Sequence, residues 1–240
     1  MKLSVIIPAY NEEKLIAGLL AKVFEALRTN AATDLTSEVI VVDNNSSDRT
    51  GKLARALGAR VVFEPVNQIA RARNAGASVA EGDWFLFVDA DSWLSAATLA
   101  DLLACIRKGG CAGGGCLIGL DQAPLLGRFI MQVWNVISRT TKWAAGSFVF
   151  CRADLFREIG GFPTDLFATE ELGLSRKLKR LAKIKGLRIT ILRSHRHISS
   201  GRKFYLYSRG EMLQLIFRGL FTPWVVRDRK QLSVFYDGRR

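Results

Sequence analysis

At 240 residues and 49% hydrophobic side chains, the chain carries enough apolar material for one sizeable core, which excludes general disorder. The formal charge of +13 is unevenly placed: residues 1–171 hold 17 Lys/Arg against 19 Asp/Glu, whereas residues 172–240 hold 18 against three. A basic surface of that size suits phosphates, nucleic acid or an anionic membrane face, and composition alone does not choose among them.

The first half alternates short apolar runs with longer amphipathic ones. Leu3 to Ile7, Glu38 to Val42, Arg60 to Phe63 and Trp84 to Val88 read as strands covered on both faces, and Glu12 to Arg28, Asp48 to Leu57 and Ile69 to Ala80 carry helical spacing. Such alternation implies right-handed crossovers and a parallel sheet. The second half is less regular. Cys111 to Leu117 reads as a Gly-rich strand, Leu126 to Ser138 as a helix, Ser147 to Cys151 as a strand and Ala153 to Ile159 as a helix. Glu171 to Lys183 then reads as a helix, Arg188 to Leu192 as a last strand, and the residues beyond Gly201 as amphipathic helical structure. Neither a linker nor a fixed-period repeat divides the chain, so one domain with a C-terminal appendage is expected.

Two further expectations concern compartment. The N-terminal apolar run stops at Pro8, and no stretch approaches the roughly 18 apolar residues of a spanning helix, which points to a cytoplasmic location with peripheral contact to the membrane left open. Cys105, Cys111, Cys116 and Cys151 form no CxxC pair, so reduced, mostly buried thiols are expected rather than a structural zinc site.

Open parallel sheets bind ligands beyond the carboxyl ends of their strands, and the polar residues collect there. Pro8-Ala9-Tyr10-Asn11-Glu12 follows the first strand, Asp43 to Asp48 the second, and Asp89-Ala90-Asp91 the fourth. Two carboxylates two residues apart after a buried strand can hold a hard divalent cation that also binds diphosphate oxygens, although Asp also serves turns and caps. Asp43 can accept a hydrogen bond from a base or ribose, or cap the helix that begins near Asp48. Of Arg71 and Arg73, two residues apart on a helix, one can face an anionic ligand. Glu170-Glu171 offers a general base or a pair of helix-start acids, and His195 and His197 offer a metal ligand or part of a basic surface.

Taken in order, these residues closely resemble the family 2 glycosyltransferases of the GT-A fold. The signature comprises residues 5–13 (VIIPAYNEE), 39–50 (VIVVDNNSSDRT), 72–76 (ARNAG) and 82–91 (GDWFLFVDAD), then Gly160-Gly161-Phe162 and Glu170-Glu171-Leu172. The resemblance implies an α/β, mostly parallel central sheet flanked by helices. It divides the chain into a catalytic domain over 1–200, nucleotide-binding to about 110 and acceptor-binding over about 111–200, and a basic segment over 201–240. It implies that Pro8, Tyr10 and Glu12 edge the base and ribose pocket, that Asp43 reads the base, and that Arg73 and Ala90 lie with the donor. Asp89 and Asp91 are similar to the family's DXD pair, with Asp91 on the metal and Asp89 beside ribose and metal, and His195 is taken as a further ligand. Gly146 and Ser147 fall in the acceptor pocket. Glu171 stands where the family usually has Asp as base, with Glu170 the other candidate. Residues 199–203 are similar to a basic loop that closes over the diphosphate.

The expected reaction is an inverting, single displacement from a nucleotide diphosphate sugar, UDP-sugar first and GDP-sugar as the alternative. It uses Mn²⁺ or Mg²⁺ and delivers the sugar to a hydroxyl acceptor, lipid-linked or a cell-envelope glycan. No nucleic-acid partner is expected, and the basic C-terminus is read either as a peripheral membrane contact or lipid-linked acceptor site, or as a helix packed on the catalytic domain. A dinucleotide oxidoreductase is disfavoured because no GxGxxG follows Leu3 to Ile7. A basic membrane- or nucleic-acid-binding scaffold on an inactive fold explains the tail and ignores the strand-end acids.

Overall fold

A computed structural model of the chain describes residues 1–144, 146–202 and 205. Strands β1 (Lys2–Ala9), β2 (Thr36–Asp43), β3 (Arg60–Phe63) and β4 (Trp84–Val88) are parallel neighbours in the order β3-β2-β1-β4. Helices α1 (Ile16–Thr29), α2 (Thr50–Ala56) and α3 (Ile69–Val79) make the crossovers between them. The continuous apolar runs arise because side chains alternate between two cores. Leu3, Val5 and Ile7 of β1, with Leu86 and Val88 of β4, join one cluster with α1, while Ile6, Phe85 and Phe87 join a second with α3. Pro8 is tolerated inside β1 because pairing with β4 ends at Ile6, so the ladder needs no N–H from the ring on that side.

Beyond β4 the sheet becomes mixed. A two-residue strand β5 (Ser92–Trp93) is followed by α4 (Ala96–Lys108), β6 (Cys111–Asp121), α5 (Leu125–Thr141), β7 (Phe148–Arg152), α6 (Ala153–Glu158), α7 (Glu170–Ile184) and β8 (Arg188–Ser200). β7 joins antiparallel to β4, and the sheet continues as β7-β6-β8-β5. The glycines of β6 permit a close approach, since a Cβ on Gly114 would collide with the Thr190 carbonyl and one on Gly113 would lie 2.5 Å from the Phe150 oxygen.

Three features differ from the sequence expectations. Helix α4 was not anticipated, although Ser95 caps it through Thr98 N at 3.0 Å and Leu99, Leu102 and Leu103 carry its buried face. β8 runs to Ser200 rather than ending at Leu192, because a register shift lets it resume pairing at Ile118↔His197 and then accept β5. Helix α1 starts at Ile16, not Glu12, because residues 10–13 are spent on the adjacent loop. The expected amphipathic structure beyond Gly201 lies outside the described residues except at Arg202 and Tyr205. Among the described residues no helix is long and apolar enough to cross a membrane.

Candidate active site

The carboxyl ends of β1, β2 and β4 form one polar edge, and backbone and side-chain bonds hold their loops together. Asn44 N donates to Ala9 O at 2.8 Å, Ser47 N to Asn11 Oδ1 at 2.8 Å, Glu12 N to Thr50 Oγ1 at 2.8 Å and Glu13 N to Asp48 Oδ2 at 3.1 Å. Asn11 adopts φ 53°, a left-handed turn that Asn tolerates better than most residues. Asp48 also accepts from Thr50 N at 2.9 Å, so it fastens the start of α2. Asp43 keeps one oxygen on Ser46 N at 2.9 Å, and its carboxylate lies against Gly51, where a Cβ would come within 2.5 Å of Oδ2. Pro8 and Ala9 close the buried part of β1, and half-buried Tyr10 follows them.

Asp89-Ala90-Asp91 is the turn from β4 into β5. Ser92 donates to the Asp89 carbonyl from N at 3.2 Å and from Oγ at 2.7 Å, while Asp89 N reaches Ser147 O and Ser200 N reaches Asp91 O. Ala90 is buried in the core and anchors the turn, so both acids project from a fixed backbone.

Arg73, 1% exposed on α3, binds three of these acids. Its Nη2 meets Asp89 Oδ1 at 2.8 Å, and its Nη1 meets Glu170 Oε1 and Glu171 Oε1, both at 2.8 Å. Its charge is shared among the protein's own carboxylates, while its Nε has no partner. Arg71 points away and pairs with Glu64. Burial works against the guanidinium charge, but Glu171, Asp89 and Glu170 raise its pKa above the ordinary value.

Three carboxylates around one cation leave an excess of negative charge in a buried place. The deepest of them, Glu170, responds by holding its proton: burial, then the Glu171 charge, raise it to about 8 from 4.5. In the metal-free protein, the folded state therefore keeps a proton that the unfolded chain releases above 4.5. That contribution to stability is complete below pH 4.5 and is lost as pH rises through about 8. We expect the unfolding midpoint to fall across this interval by calorimetry and Glu170→Gln to flatten the decline; an unchanged slope in the variant would place the titration elsewhere.

On the opposite side, Arg202 at the end of β8 bonds Glu12 Oε1 at 2.6 Å through Nη2 and lies 3.5 Å from Asp91 Oδ2. Glu12 is 5% exposed and bonds this arginine. Of the basic stretch 199–203, Ser199 and Ser200 belong to β8 and Lys203 lies outside the described residues.

The two histidines have different surroundings. His195 is exposed and its Nδ1 sits 3.1 Å from Asp101 Oδ2 on α4. His197 is completely buried against Phe148, ring centroids 5.1 Å apart, and neither ring nitrogen has a partner. Burial pushes its pKa down to about 4 against the pull of Asp89, which leaves a neutral imidazole with a lone pair beside that acid. The strand-long extension of β8 delivers it there, a signal that a run of Arg, Ser and His conceals.

Gly146, at φ 82°, and Ser147 lead into β7, with Ser147 buried and its Oγ unpartnered. Two residues without an expected role join the two halves. Asn74 exchanges two bonds of 2.9 Å with the Phe162 backbone, and Gln68 Nε2 donates to Thr164 O at 2.8 Å and Leu166 O at 3.0 Å.

The model for glycosyl transferase family 2 matches residues 4–142. A dolichol-phosphate mannosyltransferase of Pyrococcus furiosus is 34% identical over 117 residues, which cover 45% of this chain and 31% of that protein. The Staphylococcus aureus poly(ribitol-phosphate) β-N-acetylglucosaminyltransferase TarS is 34% identical over 115 residues, 45% of this chain and 19% of that protein. The matched segment thus spans a third or less of these relatives. The mannosyltransferase PcManGT of Pyrobaculum calidifontis, solved with GDP-Man and Mn²⁺, superposes with a TM-score of 0.66 at 22% identity, covering 98% of this chain and 63% of that one. TarS 1–349 with UDP-GlcNAc gives 0.63 at 22% identity, covering 99% and 71%. These likenesses establish the GT-A fold. With more than half of its length inside the matched segment, the chain belongs to glycosyl transferase family 2.

Proposed function

We propose that the protein transfers a sugar from a nucleotide diphosphate sugar, a UDP-sugar before a GDP-sugar, to an acceptor hydroxyl with inversion and with a divalent metal. One observation carries this reading. Among the described residues, the buried side-chain polar atoms without a partner belong to Arg73, Ser147, His197 and Arg202; the first two and Arg202 bond Asp89 or Asp91, and the charge of Asp89 acts on His197. Buried polar groups are ordinarily satisfied, so orphans gathered at one place mark where a polar ligand belongs.

The residues suit a divalent cation. Asp89 and Asp91 supply hard oxygens and His197 a neutral nitrogen, and this donor set matches Mn²⁺ or Mg²⁺. Among the described residues no three such side chains already meet at one point, and Asp91 lies 3.5 Å from Arg202 Nη2. A bound cation there supplies positive charge to a departing diphosphate. The relatives solved with GDP-Man and Mn²⁺ and with UDP-GlcNAc support the same ligand classes.

The protein's own groups do the rest. Glu171, more open than Glu170, is the base that takes the acceptor proton, and Arg73 fixes its carboxylate against the α7 start. Arg202, whose buried Nε has no partner, is the cation that meets phosphate oxygens, while Glu12 orients it. Ser147, whose buried Oγ also has no partner, is assigned to the acceptor side.

A thermal-shift comparison tests the reading. A UDP-sugar with Mn²⁺ should raise the unfolding midpoint by several degrees, more than either alone, and nucleotide diphosphate should be released only with metal. Equal release with and without metal, or no shift with UDP- and GDP-sugars, refutes it and favours the inactive scaffold.

A further inference from the structure

We propose that the adjoining outer faces of α5 and α7 form a docking surface for an anionic lipid bilayer, with α5 entering the headgroup boundary and α7 lying on the phosphates. Helix α5 turns only Gly127, Asn135 and Ser138 fully inward. Six of its apolar residues point out: Leu125 is 84% exposed, Phe129 67% and Val136 58%, and Leu126, Val133 and Ile137 share the exposed side. Met131 packs on the core and Ile130 and Trp134 are half-buried, and the inward attachment is completed by a polar clasp, in which Asn135 accepts from Ile118 N at 3.0 Å and donates to Ile118 O at 2.8 Å. A helix fastened by an amide and apolar toward solvent reverses the usual amphipathic arrangement and calls for an apolar partner.

The charge around it names that partner. No acid occurs from Gln122 to Ala153 or from Leu172 to Arg202. Helix α7 exposes Arg176, Lys177, Lys179, Arg180 and Lys183. The two helices are joined, because Lys179 Nζ bonds Thr141 O at 2.9 Å, Ser175 Oγ bonds Ala144 O at 2.8 Å, and Arg176 stacks over Trp143 at 5.2 Å. Beside them a groove of about 860 Å³ is lined by Lys108, Lys142, Lys179, Lys183, Arg188 and Arg193, and its one acid, Asp101, is engaged by His195. An apolar ridge flanked by Lys and Arg is the pattern of an interfacial helix, and anionic lipid adds attraction for each cation near the surface.

Other occupants carry the wrong sign. A second copy brings a net charge of +13, and residues 203–240 hold eight Lys/Arg against three Asp/Glu. An acidic protein could meet the cations, but the bilayer also accounts for a helix-long row of exposed Leu, Phe, Val and Ile flanked by Lys and Arg.

Co-sedimentation of the full chain with vesicles provides the test. The protein should pellet with phosphatidylcholine–phosphatidylserine vesicles and much less with phosphatidylcholine alone, and added salt should weaken the binding. Phe129→Glu with Val133→Glu should lower the bound fraction about tenfold or more. Arg180→Glu with Lys183→Glu, both exposed on α7, should lower it several-fold and reduce the salt dependence. Equal pelleting with neutral and anionic vesicles overturns the proposal, as does parental binding by the Phe129/Val133 variant, which would assign the contact to residues 203–240. Failure of the parent to bind vesicles overturns it too, whether or not an acidic protein binds. Metal-dependent donor hydrolysis should be the same in parent and both variants, so loss of lipid binding stays separable from failure of the sugar-transfer reading.

Discussion

Replacing Asp91 by alanine should lower sugar transfer by at least about a thousandfold while donor binding weakens far less. The turn that carries Asp91 does not depend on its side chain: its carbonyl accepts from Ser200 N at 2.9 Å, and Ser92 holds Asp89 O. Arg202 retains Glu12 at 2.6 Å, so the variant should fold with an unchanged unfolding midpoint. What disappears is a hard oxygen donor at the place where charge develops as diphosphate departs. Steady-state rates at saturating Mn²⁺, together with nucleotide binding by calorimetry, separate these effects. Turnover within a few-fold of the parent would remove Asp91 from the metal site.

Glu171→Gln should cost about 10² to 10⁴ in kcat, with donor affinity retained. Glutamine keeps a carbonyl oxygen for Arg73 Nη1, now 2.8 Å from Glu171 Oε1, but cannot take a proton. Glu170→Gln provides the contrast. Burial and the neighbouring charge raise Glu170 to about 8, so at neutral pH it is already mostly uncharged and an amide changes little. A large loss in Glu170→Gln with near-parental Glu171→Gln would exchange their roles, and equal small effects would argue against a side-chain base.

The parallel half of the fold was legible because its strands are buried on both faces. Runs such as Trp84 to Val88 end abruptly in charge, and the break marks the carboxyl edge of the sheet. The acids at that edge could therefore be found by position. Arg73 was found only in part, since spacing offers one arginine to an anion but does not reveal that Asp89, Glu170 and Glu171 reach it from distant segments. His197 was harder still. It lies among exposed Arg193, Ser194, His195 and Arg196 on a strand that only pairing to β6 and β5 sustains, and local pattern carries no record of such partners. Helix α4 had a readable cap at Ser95 and a buried Leu99-Leu102-Leu103 face, so its absence from the expected elements was a failure to apply a signal that was present. The apolar exterior of α5 could not be foreseen at all, because periodicity gives a stripe without saying whether it faces inward.

The paired bonds between Asn74 and Phe162, with Gln68 reaching Thr164 and Leu166, have a kinetic consequence. They weld α3 to the segment that precedes α7, so the wall carrying Arg73 and the wall carrying Glu171 travel as one piece. Entry and exit of reactants must then be governed by the loops that rim the cavity, and turnover should respond to substitutions in those rims sooner than to any attempt to loosen a hinge between halves.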